Sequence, residues 1–571
     1  VIGTYAAVAA ICVSSPAIGQ AAILLCGGRR WSWTAPAVGL ALLCALCWGT
    51  VRLPGHGAVS AVLVLVATVV AVFYLWGRVE GTGEALAAGW PVALIALLAT
   101  ALPFAVEGHF GILGTSFNPD MSQHLLTTDR LAEGHPSQLL DQGYPLGPHS
   151  IVVALNKGLG VGLVQGFSGL TVAVAVLACL TALAAFGELP WLPRTAGALL
   201  VGLAYVVASY FAQGAFKETM QALFLLAFVL ALRESDRGWS ELPLRYAPAA
   251  LIAVGSVYTY SFPGLIWLGG ATVLWAIFTR PPVKPLGLAL LAFIVLVAPE
   301  IGRMIEFHSF ETFDPNGPGL GNLFGQISPF EVFGIWPSGD FRLAPGDGAV
   351  PSLAYYLGIA FALVLFAYGV FQLWRRREVA ILSGLGAAIA AYAAARVGGT
   401  PYTAAKAIEI ASPIVALTIL LPLFTEACRF PLAMREQLDT RRLVLPAAAV
   451  LFVLAAGVCS LLALANAPVG PTSYSSTLSE YRKLVGEGPT LVVASPQLLE
   501  EEHGGPFISW ELRGGRVCIR STAEAGKLPP STRFVIEDED GWTLRKLPDP
   551  PPGKSPCPLI AERQARQGPA R

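Results

Sequence analysis

Charge is scarce in this sequence. Asp, Glu, Lys and Arg make up 13% of its 571 residues, about half of what a soluble domain carries. Excess of one sign is missing too: 37 basic and 37 acidic residues leave no net charge, which excludes a polybasic face for nucleic acid. The strict alternation of a membrane β-barrel is absent. No cysteine pair has zinc-site spacing. Of the nine cysteines, Cys12, Cys26, Cys44, Cys47, Cys179 and Cys459 lie inside apolar runs, where they read as small packing residues. Only Cys518 and Cys557 fall in the polar C-terminal region, and they are free to form a disulfide if that region is extracytoplasmic. No internal repeat is visible, which counts against an inverted-repeat transporter. The glycine-rich GPGLGN follows no strand, so it is not a nucleotide loop.

What the chain has is apolar length. Hydrophobic residues make up 54% of it, in repeated runs long enough to span a bilayer as helices. Hydropathy predicts about fourteen spans, near 4–26, 35–51, 58–77, 88–106, 168–186, 194–212, 217–233, 246–260, 262–279, 283–302, 351–373, 378–395, 404–424 and 443–465. The opening VIGTYAAVAAIC has no basic n-region and reads as a first span, not a signal peptide. Segment 149–166 is weakly apolar, carries Asn156 and Lys157, and suits the interface.

Arg29-Arg30, Arg233/Arg237/Arg245, Arg280/Lys284, Arg375-Arg376-Arg377 and Arg429/Arg435/Arg441/Arg442 all fall on one side of this count. The Lys/Arg bias of short loops makes that side the cytoplasm. Two long polar loops, 107–148 and 303–350, then lie outside, as does everything after Asn466. Residues 1–466 are expected to form the membrane domain. Residues 467–571 are expected to form a small α/β or β-rich extracytoplasmic domain, with TLVVAS, FISWEL, GRVCIRS and RFVIED as strand-like runs and a disordered tail.

The first loop contains NPDMSQHLLTTDRLAEGHPSQLLDQGYPLGPH. Asp120 and His124, four residues apart, share one face of a helix opened by Asn118-Pro119. Asp120 is either a capping carboxylate or a general base, and Asp129, beside Arg130, is the alternative base. His124 is either a packing residue or a partner that orients Asp120, binds phosphate or shares a divalent metal (Mg, Mn or Ca) with it. His149 is a candidate donor to phosphate or sugar. Cations mark outer span ends: Lys217, Arg303, Arg396 and Lys406. Each can be a snorkelling anchor. Lys406 lies several residues into its helical pattern with Glu409 one turn on, and buried ionisable groups in spans are functional by default. In the second loop, Trp336, Asp340 and Arg342 suit a sugar stacked on an aromatic, or a self-packed loop with an ordinary ion pair. Tyr258, Tyr260 and Trp267 fit an interfacial aromatic belt.

PDMSQHLLTTDRL followed by GYPLGPHSIVVAL, then GIWPSGDFR and PYTAAKAIEIASP, resembles the GT-C superfamily of polyprenyl-phosphate-dependent glycosyltransferases, and more closely a group of actinobacterial GT-C-like membrane proteins. The resemblance covers roughly 115–415 in motif order. It implies an all-α polytopic GT-C fold. It matches Asp120 to the superfamily's base and carries Lys406 and Arg396 over as phosphate-binding positions. Two features depart from the pattern. The carboxylate loop follows about the fourth span instead of the first, and the paired Asp-Glu signature of protein mannosyltransferases is missing, which disfavours a protein acceptor.

The expectation is an inverting membrane glycosyltransferase on the extracytoplasmic side of a plasma membrane. Its partners would be a polyprenyl-phosphate sugar donor, a glycan or glycolipid acceptor and membrane lipids, not nucleic acid. Asp120, oriented by His124, would deprotonate the acceptor. Lys406, Arg396, His149, Lys217 and Arg303 would hold the donor phosphate, and Trp336, Asp340, Arg342 and Glu409 the acceptor or sugar. A transporter or lipid flippase, with its charges at the midplane, and a non-catalytic envelope scaffold are the competing expectations.

Overall fold

The computed structural model describes residues 1–560 apart from 116–119, 136, 239–241, 309–318, 429–439, 502–503, 525 and 539–540. The first four apolar helices are α1 (Ile2–Leu25), α2 (Ala35–Val51), α3 (His56–Leu75) and α4 (Thr82–Thr100), with a short α5 (Leu102–Val106) extending the last. A polar stretch folds into β1 (Ile112–Leu113), α6 (Met121–Ala132), α7 (Gln138–Asp141) and α8 (Gly147–Leu159). Next come α9 (Leu163–Phe186), α10 (Trp191–Gly202), α11 (Tyr205–Ala212), α12 (Phe216–Arg237), α13 (Ala247–Tyr260) and α14 (Gly264–Thr279). After them, α15 (Val283–Val297) runs through a 3-10 turn into α16 (Ile301–Phe307). The membrane part closes with α17 (Ser352–Arg375), α18 (Val379–Gly398), α19 (Pro401–Cys428) and α20 (Thr440–Ala465).

Among the described residues, nine helices are long and apolar enough to cross a membrane, and α10 with α11 makes a tenth span bent by 51°. The shorter α2, α13 and α14 are apolar as well, and α12 is apolar between charged ends. Together they make fourteen apolar segments, and each expected span falls on one of them. This is a multi-pass membrane protein. The helix α8, 13 residues long, is too short to span, as the weakly apolar 149–166 segment implied.

Burial separates the centre of the bundle from its rim. The apolar stretch of α19 is 100% buried and that of α9 is 89% buried, while α3 is only 11% buried and offers its Val and Leu side chains outward. In lipid, helices associate by close packing of small residues, because the tails are as apolar as the side chains. α1 and α2 show this: a Cβ on Gly19 would sit 2.8 Å from the Ala35 carbonyl carbon, and one on Gly39 would sit 2.8 Å from the Ser15 Cα. Pro413 and Pro422 lie inside α19 without ending it, as helices packed among others in a membrane tolerate.

Beyond α20, β2 (Val469–Gly470) pairs antiparallel with β1, Ile112 opposite Gly470, which ties the C-terminal region to the first polar loop. Next are α21 (Ser476–Val485), β3 (Thr490–Ala494), α22 (Gly504–Glu511), β4 (Val517–Ser521), β5 (Phe534–Asp538) and β6 (Trp542–Lys546). They form a sheet of order β4-β3-β5-β6. β3 runs parallel to β4 and β5, and β5 antiparallel to β6. A parallel pair needs a crossover, and α22 supplies it between β3 and β4. FISWEL, expected as a strand, is therefore mostly helix: its β-branched and aromatic content yields to the topology. Cys518 and Cys557 are disulfide-bonded.

Candidate active site

Asp120 stands at the N-cap position of α6, but its side chain makes no capping hydrogen bond to the helix. The expected opening residues, Asn118 and Pro119, lie outside the described residues. Asp120 instead lines a polar hollow of about 110 Å³ together with His124, Gln213, Lys217, Glu218 and Lys406. Lys217 and Glu218 come from the first turn of α12 and Lys406 from the second turn of α19. Three helix ends thus deliver two carboxylates and two ammonium groups to one small volume. Lys406 Nζ lies 3.0 Å from Glu218 Oε1 and 4.2 Å from the centre of the Tyr402 ring. Lys217 Nζ donates to the Tyr144 hydroxyl and sits 4.0 Å from that ring's centroid.

Solvent reaches Asp120, but the walls close round its carboxyl. Burial pushes it above the usual aspartate range, against the pull of Lys406 and Lys217 and with some help from Glu218. A carboxyl raised in this way is a stronger base once ionised.

His124 is not alone. Its Nδ1 is 3.0 Å from His149 Nε2. Burial, then His149, Lys217 and Lys406, hold His124 well below the usual imidazole range. Burial and then Arg303 push His149 down to about 3, so both rings are neutral at physiological pH. His149 Nδ1 is buried without a partner among the described residues, and a buried orphan N–H is rarer than an orphan acceptor. We therefore assign the proton of the shared bond to His149 Nε2, which leaves His124 Nε2–H as the pair's remaining donor.

An apolar groove of about 320 Å³ adjoins the hollow, lined by Tyr260, Ile266, Trp267, Phe307 and the alanines of α18. Tyr144, Lys217, Glu218 and Lys406 line both spaces. Tyr260 and Trp267, expected as belt aromatics, belong to the groove. Their apolar runs are indistinguishable in sequence from lipid-facing ones.

The other expected site residues lie elsewhere. Arg396 is exposed at the end of α18 and lines neither space. Arg303 is one layer back, donating to the Tyr144 carbonyl at 2.8 Å and paired with Glu300 at 3.1 Å. His149 is fully buried behind His124. Glu409 is fully buried with no hydrogen-bond partner for either carboxylate oxygen among the described residues; Lys406 turns to Glu218 instead of down its own helix. Trp336 is fully buried with its ring T-shaped against Tyr355, so neither face is open to a sugar. Asp340 and Arg342 close on each other at 2.6 Å and line neither space. Asp129 pairs with Arg513 of the C-terminal region at 3.5 Å, not with Arg130.

Among the described residues no group of three or more His, Cys, Asp or Glu is placed to hold a metal ion. Asp120 and His124 alone fall short of the ligand count of a resident divalent site. Sequence reasoning missed the Lys406–Glu218 pair and Gln213, which takes a hydrogen bond from Asn322 in the second loop. Contacts between elements so far apart in the chain leave no local signal.

The fold of the chain is similar to that of the arabinofuranosyltransferase AftD from Mycobacteria, solved by single-particle cryo-EM, with a TM-score of 0.51. The fold is GT-C-like. The two sequences are 14% identical, and the match covers 78% of this chain and 34% of AftD, so this chain spans about a third of that protein's length and the likeness concerns the fold alone. No protein-family model and no curated protein matches the chain.

Proposed function

We propose that this GT-C-like protein is a membrane glycosyltransferase of the cell envelope that takes its sugar from a lipid-linked phosphate. The observation that carries the reading is the junction of the two spaces: an apolar groove ends at two ammonium groups, and a solvent-reached carboxylate stands beyond them. A polyprenyl chain would lie in the groove, its phosphate against Lys217 and Lys406, with the sugar and the acceptor hydroxyl in the hollow. The acceptor oxygen attacks the anomeric carbon as Asp120 takes its proton. The bond from that carbon to the phosphate oxygen breaks, and its electron pair leaves with the phosphate, stabilised by the lysines. Attack opposite the leaving group inverts the anomeric centre. His124, which lines the same hollow, would offer its Nε2–H there as a neutral donor.

By the basic-loop rule the hollow opens on the extracytoplasmic side, where donors are lipid-linked. The acceptor in this reading is a glycan or glycolipid. The test is sugar transfer by the full chain in nanodiscs, using a radiolabelled polyprenyl-phosphate sugar. Asp120→Asn is expected to lower the rate by about 10²–10⁴-fold. An unchanged rate overturns the assignment of the base, and lipid translocation without transfer by the unmutated chain favours the flippase reading.

A further inference from the structure

The helices that bring Lys217 and Lys406 to the hollow also build a second cavity at their far ends. Lys217 and Arg233 are sixteen residues apart on α12, about 24 Å along the axis. There a cavity of about 620 Å³ opens between the C-terminal ends of α9, α12 and α19 and the turn from α17 to α18. It lies on the arginine-rich face of the bundle, and none of its lining residues belongs to the proposed active site.

Three arginines and three glutamates line it, and their pairing is uneven. Glu378 takes two hydrogen bonds from Arg233, at 2.9 and 3.2 Å, and the same carboxylate meets Arg237 at 2.8 Å. One acid serves two guanidinium groups. Glu378 has 6% of its side chain exposed, whereas Arg237 exposes 52%. Arg376, from the same turn as Glu378, pairs with Glu426. The Glu234 carboxylate is occupied by the hydroxyls of Ser32, at 2.6 Å, and Thr34, at 3.4 Å. Glu188 is left exposed at the rim. The rest of the wall is apolar, with Leu183, Leu189, Leu230 and Leu421. Trp31 and Trp33, their rings 5.7 Å apart, line it from the loop between α1 and α2.

We propose that this cavity binds the phosphate headgroup of an anionic phospholipid from the adjoining leaflet. Guanidinium groups match phosphate in bidentate fashion, and basic pockets between helices on the basic-loop side suit such headgroups. The leucine wall and the two tryptophans fit the glycerol and upper acyl region, which a free phosphate would leave empty. Arg237, half exposed and sharing its acid with Arg233, is the residue best placed to reach the headgroup.

The experiment is native mass spectrometry of the full chain released from nanodiscs of phosphatidylcholine with a minor share of phosphatidylglycerol. Retained lipid is expected to be enriched in phosphatidylglycerol, and Arg237→Gln is expected to cut that enrichment about fivefold with the melting temperature unchanged. A parallel melting series on the unmutated chain, with short-chain phosphatidylglycerol or inorganic phosphate added, needs no variant. Protection by the lipid alone supports the proposal. Equal protection by inorganic phosphate, no enrichment, or enrichment unaffected by Arg237→Gln in a folded protein overturns it.

Discussion

Lys406 Nζ and Glu218 Oε1, 3.0 Å apart, join α19 to α12 where the apolar groove meets the polar hollow. The side chains are 12% and 7% exposed, so neither charge has much water to fall back on. A buried pair of this kind adds little net stability, but removing one partner strands the other.

Lys406→Met should therefore lower stability by about 3–5 kcal/mol, and adding Glu218→Gln should restore most of it. Neither variant should recover sugar transfer, because the cation proposed to face the leaving phosphate is gone from both. Thermal unfolding together with initial transfer rates separates the two effects. A double variant with normal stability and normal transfer would remove Lys406 from the mechanism.

The histidine pair gives the fold a sensitivity to acid. The folded pKa of His149 is depressed from 6.5 to about 3, so below 6.5 the unfolded chain binds the extra proton. The stabilising effect is complete above 6.5 and is lost as pH falls towards 3, reaching on the order of 5 kcal/mol. His149→Gln should flatten stability across that window, as measured by unfolding at a series of pH values. Asp120 has the opposite sign: its raised pKa favours the fold while it is protonated, and that contribution fades as pH rises through it. Transfer should rise with pH as that carboxyl ionises, since the ionised form is the proposed base.

Which parts could be read from the sequence follows from what leaves a local trace. Spans did, because some twenty apolar residues in a row have few other uses. Asp120, His124, Lys217 and Lys406 did too, since charge beside or inside apolar runs is expensive and so conspicuous. Partners did not. Lys406 has Glu409 one turn away and Glu218 far off in sequence, and only packing decides for Glu218. Trp336 reads as a stacking platform until Tyr355 covers it. Asp129 reads as the partner of Arg130 until a later domain brings Arg513.

The Cys518–Cys557 bond closes a separation of 39 residues across β4 and the chain that follows β6. Loop entropy alone gives about 4 kcal/mol for a loop of that size. Cys518→Ser with Cys557→Ser should lower the unfolding temperature of the C-terminal region and leave that of the helical bundle in place. Differential scanning calorimetry with and without reductant reads both. A reductant without effect on the unmutated chain would count against an oxidising compartment for this region.

Arg513 links that region to α6. Its guanidinium stacks 3.7 Å from the Trp510 ring centroid, donates to the Trp510 carbonyl at 2.9 Å, and reaches Asp129 on α6 at 3.5 Å. Asp129 lies nine residues beyond Asp120 on α6, about 13 Å along the axis, so the contact holds the far end of the helix whose first turn carries the proposed base. Asp129 is 45% exposed, and a pair this open is worth about 0–1 kcal/mol. Arg513→Ala should thus barely change melting, yet it should lower the turnover rate severalfold through the aim of α6, with the KM for donor little altered, because the groove and its lysines are untouched. Exchanging the charges, Asp129→Arg with Arg513→Asp, should recover part of the rate, which a merely structural arginine would not allow. A rate that ignores Arg513→Ala would make the C-terminal region a bystander to transfer.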